Sequence, residues 1–172
     1  MNIFAIEKTT SGDIDWEASA KSLDNYRVVK MILESTQMIC TTINLLYGDK
    51  VTPYKNAHVN HPSTKWVRES SSNFIDLVIH TLSMIEEYKE RFGNKSHKSA
   101  IALNKALELY DPDMFPTQSS TPLPLCMPDE FITNDPVESY RRFYCSKPRM
   151  RYPKDKIPNW FEDMRKAVFE II

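Results

Sequence analysis

One face of a predicted helix near the N-terminus carries polar and charged side chains at helical spacing. It consists of Arg27, Lys30, Glu34, Gln37 and Thr41, at steps of three and four residues, which place side chains on one side of an α-helix. A carboxylate between cations could act as acid or base at a sugar while the cations hold a phosphate. We therefore predict Glu34 as a catalytic residue and Arg27 and Lys30 as substrate-binding residues. The alternative is a solvated face in which Lys30 and Glu34 form an ion pair.

The segment "HVNHPSTKWVRESSSNF", residues 58–74, gathers hydrogen-bonding and aromatic side chains around the start of a second predicted helix. Free backbone N–H groups and the helix dipole favour an anion at such a start. We predict His61 as a second catalytic residue. From the same segment we predict four substrate-binding residues: Asn60, Trp66, Arg68 and Asn73. The alternatives are a core position for Trp66, which would otherwise stack on a base, and solvent exposure for Arg68 and Asn73.

Two histidines in this segment, His58 and His61, also have the HxxH spacing of some zinc sites. Pro62 interrupts the helical geometry that such a pair requires, and no third ligand follows at a useful distance along the chain. We therefore predict neither a metal site nor a cofactor for this chain.

Basic side chains recur in two later segments. His97 and Lys98 fall in the first turn of a third predicted helix, where a cation opposes the helix dipole unless an anion binds there. Residues 141–156, the basic segment, contain seven basic residues and one acidic residue interleaved with aromatic rings, a composition that suits phosphate neutralisation and base stacking. In and beside these segments we predict further substrate-binding residues: His97, Lys98, Tyr140 and Arg141. An exposed basic turn and a solvated basic loop are the alternatives.

Apolar residues recur at helical spacing along most of the chain, which predicts a helical fold. The groups named above would therefore be positioned by helices. Capping residues and glycines set the bounds of five predicted helices, over residues 22–47, 63–92, 96–110, 136–145 and 158–172. Ser63 or Thr64 would cap the second helix and Ser96 the third, while Asp135 would cap the fourth ahead of Pro136. Residues 2–7 alternate in polarity and predict one short strand, and residues 8–20 predict a loop.

A stretch rich in proline separates the third and fourth predicted helices. Six prolines fall in residues 111–136, and four apolar side chains could anchor this segment: Leu123, Leu125, Met127 and Phe131. We predict an ordered, extended wrap, because long structureless loops are uncommon inside compact domains. The expected fold is mainly α, a single domain over residues 1–172 with one short N-terminal strand and a long proline-rich wrapping loop.

Composition limits the functional classes. The net charge is −1, so any attraction to nucleic acid must come from a local patch. Three cysteines without a CxxC pair argue against a disulfide framework and for a reducing compartment. The N-terminus lacks a signal-peptide pattern and no apolar run is long enough to span a membrane, so we expect a cytoplasmic protein that does not bind membranes. No serine-hydrolase, P-loop or zincin motif occurs.

Four blocks of the sequence resemble a family of small proteins that is widespread in bacteriophage genomes. They are "SLDNYRVVKMILESTQM", "HVNHPSTKWVRESSSNF", "HKS" and "MPDEFITNDPVESYRRFY". More distantly, the first long helix is similar to that of phage pyrimidine-dimer DNA glycosylases, small helical enzymes that cleave the glycosidic bond of a damaged pyrimidine. Those enzymes use an N-terminal amine as nucleophile, a helix glutamate, and arginines that hold the DNA. The resemblance implies the last two roles for Glu34 and Arg27.

The first two residues depart from the pattern of those glycosylases. Their amine nucleophile is exposed by removal of the initiator methionine, which requires a small second residue. Asn2 is too large for efficient removal, so we expect Met1 to remain and no lyase step to follow base cleavage. A phage-encoded protein of this kind would act in the cytoplasm of the host cell.

These features predict a phage-type enzyme, a hydrolase that acts on a nucleotide or a DNA base by cleaving the N-glycosidic bond at a pyrimidine nucleotide. Such an enzyme extrudes its target from a duplex, at a cost that stacking and phosphate contacts offset. Two alternatives involve no catalysis. One is an anti-defence protein that sequesters a nucleotide, and the other is a module that binds a host protein through the wrap and the basic segment. The enzyme and the sequestering protein both require the polar blocks to meet in space.

Overall fold

Helices make up most of the chain in the computed structural model, which describes residues 1–171. The α-helices in this range are α1 (Trp16–Lys21), α2 (Asn25–Tyr47), α3 (Pro62–Glu69), α4 (Ser71–Arg91), α5 (Ala100–Glu108), α6 (Pro136–Cys145) and α7 (Phe161–Ile171). Two short 3-10 helices, Pro112–Met114 and Asp129–Phe131, lie in the wrap. The prediction of a mainly α fold is confirmed. No described helix is both long enough and apolar enough to cross a membrane, and Ile172, the last residue of the predicted terminal helix, lies outside the described residues.

The central element is α2, which packs against α3, α4 and α5. It begins after Asp24, whose carboxylate accepts a hydrogen bond from the Tyr26 N–H at 3.1 Å. It ends at Gly48 with a φ of 72°, a left-handed conformation that glycine adopts without a Cβ penalty. The apolar face predicted for this helix consists of Val28, Ile32, Ile39, Ile43 and Leu46; the first four are buried and Leu46 is half-buried. With that face in the core, the polar face of α2 remains available for a site.

The helix predicted over residues 63–92 is two helices, α3 and α4, which meet at Ser70. Ser70 is extended, with φ −143° and ψ 141°, and its hydroxyl accepts from the N–H groups of Ser72 at 3.1 Å and Asn73 at 3.4 Å. The Ser71 N–H donates to the Thr117 carbonyl of the wrap at 3.0 Å. Serine hydroxyls compete for backbone groups, so a run of serines can end one helix and cap the next. The prediction of a continuous helix is wrong at this point.

Three helix starts also differ from the prediction. The cap of α3 is His61, whose Nδ1 accepts from the Ser63 N–H at 3.1 Å. The α5 helix begins at Ala100, later than the predicted start at Ser96. The α1 helix lies where a loop was predicted, and the Asp15 side chain caps it. This helix has only six residues, too few to display a periodic apolar pattern.

The first seven residues form no strand, so the predicted N-terminal strand is wrong. Only isolated β-bridges occur in the described part of the chain, and helices surround the segment. Side chains bond its backbone instead: the N–H groups of Ile6 and Glu7 donate to Ser19 Oγ at 3.0 and 2.9 Å, and Arg141 Nε donates to the Ile6 carbonyl at 2.7 Å. Four consecutive side chains are buried: Ile3, Phe4, Ala5 and Ile6. The segment is therefore held by burial and by side-chain hydrogen bonds to its backbone, and not by strand pairing.

The proline-rich wrap is ordered, as predicted. Trp66 of α3 donates its indole N–H to the Thr121 carbonyl at 3.0 Å, and the Tyr140 hydroxyl of α6 donates to the Pro124 carbonyl at 2.6 Å. The wrap is thus fastened to two helices. Its predicted anchors are buried or half-buried: Leu123, Leu125, Met127 and Phe131.

Candidate active site

A cavity of about 170 Å³ opens beside the N-terminal half of α2. The walls of this α2 cavity come from three parts of the chain: the N-terminal segment, the polar face of α2, and the turn that follows α6. Four charged side chains line it: Arg27, Lys30, Glu34 and Lys147. The remaining lining residues are Met1, Asn2, Phe4, Tyr26 and Met31. One carboxylate therefore shares a small, partly enclosed space with three cations.

The polar face of α2 supplies most of this charge. Arg27, Lys30 and Glu34 lie on the side of the helix away from its buried isoleucines, as their spacing predicted. Lys30 Nζ is 3.1 Å from Glu34 Oε1, and the two side chains are 52% and 18% exposed. An i,i+4 pair of this kind contributes only about 0.2–0.5 kcal/mol. A substrate could therefore separate the two side chains at low cost.

Arg27 forms a buried part of the cavity wall. Its Nη1 is 3.4 Å from the carboxylate of Asp24, and its Nη2 donates to the Pro148 carbonyl at 3.0 Å. The Tyr144 hydroxyl of α6 donates to Asp24 Oδ1 at 2.8 Å and accepts from the Asp24 N–H at 2.7 Å. These contacts join the start of α2 to the end of α6 and fix the guanidinium. Because an arginine has five N–H donors, an anion in the cavity could still be bound.

Lys147 belongs to the turn that follows α6 and is half-buried. Its Nζ is 3.3 Å from the centroid of the Phe143 ring, and it forms no ion pair with a carboxylate among residues 1–171. Burial, followed by the charges of Arg27 and Lys30, lowers the pKa of Lys147 to about 8. A lysine with a lowered pKa in a cavity is a candidate for chemistry as well as for binding.

His61 lies beside the α2 cavity without lining it. Burial is the main cause of its lowered pKa; the positive N-terminus and His58 act in the same direction, and the charge of Glu34 acts in the opposite one. Ser63 Oγ donates to the Met1 carbonyl at 3.4 Å, which holds the N-terminal segment against the start of α3. Since Nδ1 of His61 caps α3, Nε2 is the ring atom that could reach a substrate.

Three predicted binding residues, Trp66, Asn73 and Tyr140, are core residues outside the cavity, with exposures of 4%, 0% and 0%. Trp66 and Tyr140 bond to the wrap as described above. Asn73 Nδ2 donates to the Trp66 carbonyl at 2.9 Å and to Thr121 Oγ1 at 2.7 Å, and its Oδ1 accepts from the Thr121 N–H at 3.0 Å. These side chains hold α3, α4 and α6 against the wrap.

Arg68 and Arg141 also have partners within the fold, and neither lines the α2 cavity. Arg68 Nη1 donates to the Val59 carbonyl at 2.5 Å. Arg141 Nη2 donates to Glu7 Oε2 at 2.7 Å, and its guanidinium lies 4.6 Å from the centroid of the Trp160 ring. Both arginines therefore tie segments of the chain together.

The other predicted binding residues lie apart from the cavity as well. His97 is half-buried, and its Nδ1 accepts from the Ser99 N–H at 3.1 Å. Burial lowers the pKa of His97, and a bond to the backbone of Val29 opposes that effect. Lys98 and Asn60 are exposed. The structure does not bring these three side chains to the α2 cavity.

The cavity thus combines predicted and unexpected residues. Of the predicted site residues, Arg27, Lys30 and Glu34 line the cavity, and His61 lies beside it. Lys147 and Tyr26 also line the cavity, and neither was predicted from the sequence as a site residue. The composition of the basic segment was the only signal for Lys147, and no spacing distinguished it from the other basic residues there. Tyr26 is 56% exposed and offers a surface on which a base could stack.

This arrangement suits a substrate that has both an anionic group and an atom that becomes electron-poor during reaction. The cations would hold a phosphate, and Glu34 could stabilise positive charge or accept a proton. Among residues 1–171, no group of three or more His, Cys, Asp and Glu side chains is placed to hold a metal ion. Fold and site together define a mainly helical protein with a cation-lined cavity and one carboxylate within it.

A family model described as pyrimidine dimer DNA glycosylase matches residues 1–100. The match covers more than half of the chain, and the chain belongs to this family. The matched region includes His61 and the three α2 residues that line the cavity, and it ends before Lys147. The predicted similarity to pyrimidine-dimer DNA glycosylases is therefore confirmed, and membership supports a glycosylase-type activity on DNA. No curated protein and no solved structure gives a significant match.

Proposed function

We propose that the protein cleaves the N-glycosidic bond of a damaged pyrimidine in DNA, with Glu34 as the catalytic carboxylate. One observation carries the proposal: Glu34 is the carboxylate of a cation-lined cavity in a chain of the pyrimidine dimer DNA glycosylase family. Arg27 and Lys30 are the proposed phosphate-binding residues. His61, beside the cavity, is proposed to contact the substrate through Nε2.

Glycosidic cleavage requires negative charge beside the sugar. As the C1′–N1 bond breaks, its electron pair leaves with the base, and positive charge develops at C1′ and O4′ of the deoxyribose. A carboxylate held next to these atoms stabilises that charge. A phosphate that binds Lys30 would draw it away from Glu34 and leave the carboxylate free to face the sugar.

The size of the cavity favours DNA over a free nucleotide as the substrate. Pockets that enclose a drug-sized ligand have volumes of about 300–1,000 Å³ and bury most of its surface, whereas the α2 cavity has about 170 Å³. It could receive one extruded sugar with part of its base, while the phosphates and the flanking nucleotides stay outside. Extrusion of one nucleotide from a duplex is how enzymes that act on a base reach it.

The test uses a duplex oligonucleotide with a single thymine dimer. Base cleavage leaves an abasic sugar that alkali converts into a strand break, which a denaturing gel measures. We expect Glu34→Gln to lower the cleavage rate by about 10²–10⁴-fold, with unchanged or tighter DNA binding because Lys30 loses its ion-pair partner. The control is Glu86→Gln, whose side chain on α4 is 71% exposed and which should cleave like the wild type.

Two results would contradict this assignment. Wild-type cleavage by Glu34→Gln would exclude Glu34 as the catalytic carboxylate. Release of an intact nucleotide from denatured protein, detected by mass spectrometry in the absence of any strand break, would favour the sequestering alternative. A host-protein-binding module predicts neither cleavage nor nucleotide binding.

A further inference from the structure

Lys147 places a second reactive group in the α2 cavity. We propose that Lys147 Nζ is the nucleophile that attacks C1′ of the damaged nucleotide and holds the sugar as a covalent imine. This inference rests on the glycosylase function proposed above and adds to it the identity of the attacking residue. The family match ends at residue 100, so it assigns nothing to Lys147.

The turn that carries Lys147 is fastened to the start of α2. Arg27 Nη2 donates to the Pro148 carbonyl at 3.0 Å, and the Asn25 N–H donates to the Arg151 carbonyl at 2.8 Å. These bonds hold the residues that follow Lys147 against the helix that supplies the catalytic carboxylate. The amine and the carboxylate are therefore kept in one cavity by the framework of the fold.

An amine attacks carbon only in its neutral form, and neighbouring cations or burial favour that form. Lys147 has the cations Arg27 and Lys30 as neighbours and no ion pair with a carboxylate in the described chain. Its pKa of about 8, compared with about 10.4 for an ordinary lysine, leaves roughly a tenth of the side chains neutral at pH 7. An ordinary lysine would be neutral in fewer than about one molecule in a thousand at that pH.

The groups in the cavity and solvent water suffice to balance the reaction. Lys147 loses its ammonium proton to solvent, and the neutral amine attacks C1′ as the C1′–N1 bond breaks, while the carboxylate of Glu34 stabilises the positive charge. The base leaves with the electron pair and takes a proton from solvent, and Glu34 then accepts a proton from the attacking nitrogen. The nitrogen lone pair then forms the C1′=N bond as the C1′–O4′ bond breaks, and O4′ receives the proton held by Glu34. The product is a protonated imine on an opened sugar, and nothing is oxidised or reduced.

Other groups could play the part of the nucleophile. Water is one, and the N-terminal amine of Met1, which lines the same cavity, is another that the similarity to pyrimidine-dimer glycosylases implies. Lys147 could then serve only as a cation for phosphate, stacked on the Phe143 ring at 3.3 Å. These mechanisms differ in whether a covalent bond to the sugar forms and on which nitrogen it forms.

The experiment traps the intermediate on the full chain. Protein and the thymine-dimer duplex are incubated with sodium borohydride, which reduces an imine to a stable amine, and peptide mass mapping locates the DNA adduct. Parallel samples without borohydride are treated with alkali to report base cleavage. Lys147→Arg keeps the positive charge but stays protonated, and Lys147→Gln removes the charge. Lys105→Gln, on α5 with a side chain 50% exposed, is the control.

The proposal predicts an adduct at Lys147 in the wild type and in Lys105→Gln, and loss of that adduct in both Lys147 variants. Lys147→Arg should bind the duplex like the wild type, which separates nucleophilic from phosphate-binding roles. If thermal unfolding shows that Lys147→Gln is not folded, loss of the adduct in Lys147→Arg alone tests whether Lys147 is the nucleophile. An adduct at Met1, or strand breaks without any adduct, would overturn the role of Lys147 and leave the glycosylase function standing. No strand breaks with the wild type would overturn both.

Discussion

The ion pair between Lys30 and Glu34 can serve both as a surface contact and as part of a site. Lys30 Nζ lies 3.1 Å from Glu34 Oε1, and both side chains reach solvent. Ion pairs between neighbouring turns of one helix contribute little to stability, so the fold does not depend on keeping the two side chains together. A phosphate that binds Lys30 can therefore release Glu34 toward a sugar in the cavity.

Imine formation is expected to accelerate as the pH rises through about 8. Lys147 has a pKa lowered to about 8, so the neutral, attacking form is scarce below that pH and predominates above it. The other charged groups of the cavity are Arg27, Lys30 and Glu34, together with the amine of Met1. Single-turnover rates of adduct formation, measured across about pH 6 to 10, should rise and then level off.

A Lys30→Gln variant tests the cause of this profile. Removal of one of the two cations that lower the pKa of Lys147 should raise that pKa and move the midpoint to higher pH. Lys105→Gln, outside the cavity, should leave the midpoint in place. An unchanged midpoint in Lys30→Gln, or a rate that falls as the pH rises, would contradict the assignment of the attacking group.

Residue spacing could predict the α2 part of the site but not the remainder. Arg27, Lys30 and Glu34 could be grouped because a helix places residues three and four apart on one face. Lys147 reaches them only through the path of the wrap and α6, which local spacing does not contain. Trp66 has the chemistry to stack on a base, yet the same indole can fasten a wrap, and its type alone does not distinguish the two roles.

The junction between α3 and α4 depends on one hydroxyl. Ser70 Oγ accepts from the N–H groups of Ser72 and Asn73, and Ser70→Ala leaves both groups without this acceptor. Loss of such a cap costs about 0.5–2 kcal/mol. We expect the free energy of unfolding, measured by urea titration, to fall by about 1 kcal/mol in Ser70→Ala.

Ser96→Ala is the matched control for this cap. Ser96 is exposed, and α5 begins only at Ala100, although the sequence suggested Ser96 as its cap. Its replacement should leave the free energy of unfolding unchanged. Equal losses in the two variants would contradict the assignment of Ser70 as a cap and Ser96 as an exposed loop residue.

Periodicity predicted the long helices, whereas contacts across the fold decided the shorter features. The end of α2 was predictable because the apolar pattern and Gly48 agree. The break after α3 involves a hydrogen bond from Ser71 to the wrap, a segment distant in sequence. The six residues of α1 depend on packing, as short helices generally do. Alternating polarity near the N-terminus predicted a strand, but four consecutive side chains there are buried and the backbone bonds to side chains of distant residues instead.

Positive charge is concentrated at the α2 cavity, although the whole molecule is nearly neutral. The net charge is −1, while three cations and one carboxylate line the cavity. Acidic residues pair with several cations of the basic segment: Arg141 with Glu7, Arg142 with Glu138, and Lys156 with Glu87. The basic segment is therefore partly neutralised within the fold, and the cavity is the better candidate for DNA contact.

DNA affinity is expected to fall with salt concentration despite the net negative charge. For duplex DNA, each phosphate that a cation neutralises changes the slope of log affinity against log salt by about 0.9. Lys30→Gln should therefore reduce the slope by about 1, and Lys105→Gln should not change it. Fluorescence anisotropy with a labelled thymine-dimer duplex measures both slopes. An affinity that does not depend on salt would contradict phosphate binding at the cavity.

The carboxylate of the α2 cavity, Glu34, belongs to an early helix, whereas the proposed nucleophile, Lys147, belongs to the turn that follows α6. The ribosome synthesises these residues in that order, and domains begin to fold from the N-terminal side during synthesis. Under the proposed chemistry, a nascent or prematurely terminated copy carries Glu34 without the Lys147 amine. The hydrogen bonds between Tyr144 and Asp24, which join the end of α6 to the start of α2, form only after the chain has been synthesised through α6.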